Sequence, residues 1–140
     1  LDASLMLNIY LPQPLSSKAE ALWRDWRRQG YRLVAPSLFR YEVTTVLRRN
    51  VHFGVLTPEE GLAALTDILA AGVEYPFVPD VHVRAYQIAT QFGLSRATDT
   101  HYLVVAETLG CEFWTADGKL ANAVRGDLPW VKFLGDDSPS

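Results

Sequence analysis

Apolar residues recur along this chain at the three- and four-residue spacing of helices, and the gaps between those runs are short, extended and rich in proline or glycine. Ser17-Lys18-Ala19-Glu20 reads as a capping box opening a helix that turns Ala19, Leu22, Trp23 and Trp26 inward, with Gly30 as its C-terminal cap. Arg32–Ala35 reads as a short strand stopped by Pro36, and Ser37 as the cap of a helix running to about Asn50 with the stripe Phe39, Val43, Val46, Leu47. Thr57-Pro58-Glu59-Glu60 is a second capping box with proline at the first helical position, starting a helix with Leu62, Leu65, Ile68 and Leu69 inward and Gly72 at its end. Val73–Val78 is extended but interrupted by Pro76, so it reads as an edge strand or an irregular segment.

A helix over Val81–Phe92, stopped by Gly93, buries Val83 or Ala85, Ile88 and Ala89. The next has Thr98 as its expected cap and Gly110 behind it. Cys111–Thr115 reads as a buried strand, Leu120–Arg125 as a short helix, and Trp130–Leu134 as a last strand. At the front, Leu1–Ser4 reads as the clipped end of a strand running into a helix over Leu5–Tyr10, closed by Pro12-Gln13-Pro14. The chain opens without methionine two steps from an aspartate, so upstream residues are expected. Strands alternating with helices point to an α/β fold: a short, mostly parallel central sheet flanked by helices on both faces, an α/β/α sandwich. With no repeat and no linker, residues 1–140 are expected to form a single domain with a frayed tail from 135 to 140.

The composition narrows the function only a little. At 49% hydrophobic and 21% charged over 140 residues, the chain is globular rather than disordered. No apolar run approaches the roughly 18 residues of a membrane span, and Cys111 is the only cysteine, which excludes an internal disulfide and fits a reducing cytoplasm. A net charge of −3 gives no bulk signal for a nucleic-acid partner, although a basic rim can surround an acidic site.

Four carboxylates break the pattern. Asp99 lies on the apolar stripe of its helix with Tyr102, Val105, Ala106 and Leu109, and Glu42 lies about 60° from Phe39 and about 40° from Val46 around its own. Asp2 ends the first strand and Asp117 ends the Phe113–Thr115 strand. In open α/β sheets these are the junctions where ligands gather. Two such charges about 5 Å apart repel by roughly 3 kcal/mol at an effective dielectric of 20, so convergence calls for protons or a hard cation. Oxygen donors without histidine or cysteine at metal spacing favour Mg²⁺ or Mn²⁺ over zinc. Such an ion activates water and stabilises charge on a phosphodiester, which points to metal-dependent phosphodiester hydrolysis.

Leu1-Asp2-Ala3-Ser4, Tyr41-Glu42-Val43, Thr98-Asp99-Thr100-His101-Tyr102 and Thr115-Ala116-Asp117 resemble the four acidic motifs of PIN-domain ribonucleases. More narrowly, they resemble the VapC toxins of bacterial toxin–antitoxin pairs. The likeness runs in the family's order over nearly the whole chain, including the Gly93-Leu94-Ser95 lead-in and Leu120. It implies a PIN-like fold and a Mg²⁺-dependent endoribonuclease that cuts single-stranded RNA segments. Its partners would be a second copy in a homodimer and a cognate VapB-type antitoxin that covers the site. Asp2, Glu42, Asp99 and Asp117 would be the catalytic, metal-binding acids, and Ser4 and Thr115 the hydroxyls that orient the acids or a metal-bound water. Thr98 stands where the family often has an aromatic residue.

Blander readings exist for each acid alone. Asp2 is a polar residue near a terminus, Glu42 a partner for Arg40 or Arg49, Asp99 an N-terminal helix acid, and Asp117-Gly118 an Asx turn. Four bland explanations in the family's order are less economical than one metal site. His101 lies about 160° from Asp99 around the helix, which argues against it as a base. Arg40, Arg96 and Lys119 are the candidate substrate contacts, whereas Arg48-Arg49 reads as a solvated helix end and Trp23 and Trp26 as core or dimer surface. The alternatives are a catalytically inactive PIN-fold RNA- or protein-binding module and a phosphoacceptor signalling domain. The last lacks a lysine clearly placed at the end of a late strand.

Overall fold

The computed structural model of the protein describes residues 15–135. Its elements are α1 (Ser16–Gln29), α2 (Leu38–His52), α3 (Pro58–Leu69), α4 (Val81–Gln91), α5 (Thr98–Leu109), β1 (Phe113–Thr115), α6 (Gly118–Val124) and β2 (Val131–Phe133). The strand and helix expected over residues 1–10, with Asp2 and Ser4, lie outside the described residues, as does most of the expected tail.

Helices dominate, as the spacing predicts, and the strand pairing is parallel. β1 and β2 lie side by side with Phe113 opposite Val131 and Thr115 opposite Phe133. The strands expected at Arg32–Ala35 and Val73–Val78 shrink to one parallel bridge between Val34 and Glu74. Ala35 N–H donates to the Glu74 carbonyl at 3.0 Å and Glu74 N–H to the Leu33 carbonyl at 2.8 Å. Pro36 and Pro76 follow, and neither has an N–H with which to extend the ladder.

The second capping box forms as expected: Glu60 N–H donates to Thr57 Oγ1 at 3.1 Å, and Thr57 N–H donates to Glu60 Oε1 at 2.8 Å. The first does not. Ala19 N–H bonds the Leu15 carbonyl at 3.0 Å, so Ser17 sits inside the first turn of α1 rather than ahead of it. Ser37 does precede α2, but its own backbone is helical and its hydroxyl makes no capping bond. Gly30 and Gly110 end α1 and α5 in the left-handed conformation, at φ of 74° and 65°.

Two apolar clusters hold these elements. The larger gathers Phe39, Val43 and Leu47 of α2, Ala64 and Ile68 of α3, Ala85 and Ile88 of α4, Tyr102–Ala106 of α5, Phe113 of β1, and Leu120, Ala121 and Val124 of α6. The smaller joins α1 to the sheet end through Ala19, Trp26 and Leu134, with Trp26 edge-on to Trp114 at 5.8 Å between ring centroids. Trp26 is therefore core, and Trp23 packs against both clusters.

α3 is rotated from the expected stripe. Gly61, Ala64 and Ile68 face inward, whereas Leu62 is 67% exposed and Leu69 49% exposed. The small residues let α3 pack closely on α2. A Cβ added at Gly61 would stand 2.5 Å from Val51 Cγ2, inside any tolerable contact. Gly61→Ala should therefore lower stability in urea titration, although an exposed helical site would gain about 1 kcal/mol from the same change; adding Val51→Ala should recover part of the loss. The Thr57 backbone N–H, with the Thr57 side chain, holds the Glu60 carboxyl below its ordinary range. Its stabilisation is thus complete above the unfolded-state value and lost as pH falls through the lower folded value. Glu60→Gln should unfold more easily than the wild type near neutral pH, and the two should converge in acid.

Candidate active site

The first turn of α5 carries two buried hydroxyls, those of Thr98 and Thr100. Ala97, at the N-cap, already has φ −96° and ψ 0°, so Thr98 is the first helical residue rather than the cap expected of it. Thr98 Oγ1 is buried and has no hydrogen-bond partner among the described residues. Thr100 is fully buried, and its single hydroxyl proton is shared between the carbonyls of Ala85 and Ala97, each at 2.8 Å. This ties the turn holding Asp99 to α4.

Asp99 is half-buried, one helical turn before the buried Tyr102, on the stripe that the sequence assigns to both. Glu42 is half-buried in the first half of α2, among Phe39, Val43 and Val46. The Tyr102 hydroxyl donates a short hydrogen bond to Glu42 Oε1, so the helices that carry the two acids meet through Tyr102. The tyrosine ring stays in the core, 6.2 Å from Phe113. Sequence reasoning placed Tyr102 on the stripe and missed this donation. Its signal was there: a residue with an apolar body and a polar tip one turn from a carboxylate.

Asp117 ends the loop after β1 and caps α6. Its Oδ1 accepts from Lys119 N–H at 3.0 Å and Leu120 N–H at 3.2 Å, and the cap makes no use of Oδ2. Thr115 is fully buried and its Oγ1 accepts from Asp117 N–H at 2.9 Å, which fixes the turn at the strand end. The bland reading of Asp117 as a turn residue is thus part of the structure, with its exposed carboxylate at a strand-end junction.

Arg40, Arg96 and Lys119 are all exposed. The Arg40 guanidinium lies 4.3 Å from the Tyr75 ring centroid, a cation–π contact. Burial pushes the Tyr75 phenol above its ordinary range, against the opposing pull of Arg40. His101 bonds to the Ala97 carbonyl and to His82 rather than to Glu42, Asp99 or Asp117. Among the described residues no group of three or more His, Cys, Asp or Glu side chains is placed to hold a metal. Asp2 and Ser4 lie outside those residues.

Residues 1–126 match the family described as PIN domain. The chain is 30% identical over 124 residues to Ribonuclease VapC12 of Mycobacterium tuberculosis, covering 88% of this chain and 89% of that one. The same figures hold for the protein from a second strain of that organism.

The Tyr102–Glu42 bond is testable by a double-mutant cycle. Tyr102→Phe and Glu42→Gln, alone and together, should show a coupling of about 1–2 kcal/mol in urea unfolding. A coupling near zero would mean that the hydroxyl stabilises through packing alone.

Proposed function

Because the chain belongs to the PIN-domain family, among its VapC-type ribonucleases, we propose that it is a Mg²⁺-dependent endoribonuclease, the toxin of a type II toxin–antitoxin pair. It acts as one PIN domain spanning residues 1–140, in the cytoplasm. The observation that supports the reading is that two helices carrying half-buried acids, Glu42 on α2 and Asp99 on α5, are joined by the Tyr102 hydroxyl.

The chemistry of the donors fits a divalent metal. Glu42, Asp99 and Asp117 offer carboxylate oxygens, and Asp2 would add a fourth, a set that suits a hard ion. Thr98 Oγ1 adds a buried oxygen next to Asp99 with no hydrogen-bond partner among the described residues. The bound metal supplies a water activated at neutral pH and a positive charge to offset that on the phosphodiester. The rest falls to the chain. Tyr102 donates to Glu42 and so limits the rotamers of that side chain. Thr115 holds the Asp117 turn, and the α6 cap leaves Oδ2 of Asp117 for the site. Ser4 would play the orienting part beside Asp2. Arg40, Arg96 and Lys119 would meet the RNA phosphates, with Arg40 steadied against Tyr75.

A second copy and a VapB-type antitoxin are the proposed protein partners. Exposed apolar residues support such contacts: Phe53, Val55 and Leu62 surround the α2–α3 connection and are each about two-thirds exposed or more.

Labelled single-stranded RNA should be cut by the purified protein with Mg²⁺ or Mn²⁺ and spared with EDTA. Asp99→Asn should lower the cutting rate by at least about a hundredfold. Mg²⁺ should raise the melting temperature of the wild type and not of that variant, because the ion relieves repulsion between the acids only where they are charged. Tight RNA binding without cutting would favour the inactive binding module instead.

A further inference from the structure

His82 and His101 meet outside the acidic site. His82 lies in the first turn of α4 and His101 in the first turn of α5, and His82 Nδ1 is 2.8 Å from His101 Nε2. Their ring centroids are 5.0 Å apart at an interplanar angle of 61°. The second nitrogen of His101, Nδ1, is 2.6 Å from the Ala97 carbonyl. A carbonyl only accepts, so His101 carries its proton on Nδ1 and presents the Nε2 lone pair to His82. His82 must then donate from Nδ1, which leaves its Nε2 on the exposed side of the ring.

From this geometry we propose a two-histidine site for a borderline divalent transition-metal ion of the Zn²⁺ class. His101 has the arrangement of a metal-ligating histidine, one nitrogen fixed by a backbone carbonyl and the other aimed at the ligand position. Its tautomer needs no change. His82 would lose its Nδ1 proton to solvent and regain one at Nε2, so the two rings keep the same number of protons. Two nitrogens on one tetrahedral Zn²⁺ stand about 3.3 Å apart, given bonds of about 2.0–2.1 Å. The present 2.8 Å must therefore open by about half an ångström, and His82 is exposed and free to swing by that much. Among the described residues no third His, Cys, Asp or Glu joins the pair in a metal-binding group, so water would complete the coordination. Imidazole donors select Zn²⁺, Cu²⁺ or Ni²⁺, whereas a set of carboxylates selects Mg²⁺. His101 lies about 160° around α5 from Asp99, which keeps the two sites on different faces of that helix.

The test is calorimetric titration of the full chain with Zn²⁺ in excess Mg²⁺, which occupies the carboxylates. Zn²⁺ should bind the wild type, and His82→Ala should weaken that binding by at least about tenfold. His82→Asn keeps an amide donor near the former Nδ1 position and should restore the helix contact, read as melting temperature, without restoring Zn²⁺ affinity. Imidazole nitrogen NMR gives a second reading: Zn²⁺ should move the His82 proton from Nδ1 to Nε2 and leave His101 protonated on Nδ1. Unchanged Zn²⁺ affinity in His82→Ala, no Zn²⁺ binding by the wild type under excess Mg²⁺, or imidazole signals indifferent to Zn²⁺ would each overturn the proposal.

Discussion

Helix α5 is buried on nearly every side, and the rest of the structure arranges itself to permit that. Thr100 and all of Tyr102–Ala106 are excluded from water, so the helix packs on several neighbours at once and has no solvent stripe through its middle. A helix in that position has little water for the polar side chains of its first turn, and two of them find partners in the protein. Thr100 reaches back to Ala85 and Ala97, His101 to Ala97 and His82, and Arg84 of α4 pairs with Glu107 through two contacts of 3.1 Å. The α4–α5 pair is thus fastened by polar bonds near Asp99 and, through Arg84 and Glu107, near the other end of α5, with packing between.

The other acid-bearing helix is placed by size rather than by polarity. α2 gives Phe39, Val43 and Leu47 to the core, and α3 approaches it closely because Gly61 and Ala64 present almost no side chain there. That approach sets the depth of α2, and with it the depth of Glu42. A larger residue at Gly61 would push on Val51 and so on the helix that carries the acid. Packing remote from the site therefore bears on the site's geometry, since interiors at crystal-like density transmit such displacements.

What the sequence revealed follows from how local each signal is. The Thr57–Glu60 box and the glycine caps at Gly30 and Gly110 are satisfied within one turn of chain, and they appear where the residues predict. Ser17 has the same local chemistry and fails, because Leu15 had already opened the helix and a cap must lie outside it. The two short strands failed for a different reason: parallel pairing depends on distant chain, and the flanking prolines limit it to one bridge. The inward face of α3 depends on what lies against it, and hydrophobicity alone favours Leu62 and Leu69 over the smaller residues that fit. At the candidate site, the half-buried positions of Glu42 and Asp99 were legible from helical periodicity. The Tyr102–Glu42 bond spans sixty residues and no spacing rule reaches that far.

Tyr102 also links the apolar core to the half-buried carboxylate of Glu42. A phenylalanine there would fill the space beside Phe113 but remove the hydroxyl that donates to Glu42. A shorter polar residue would reach neither the acid nor the core. Tyrosine alone among the large side chains combines an aromatic body with a hydroxyl that donates at the far end. One side chain therefore reaches from the core beside Phe113 to the carboxylate of Glu42.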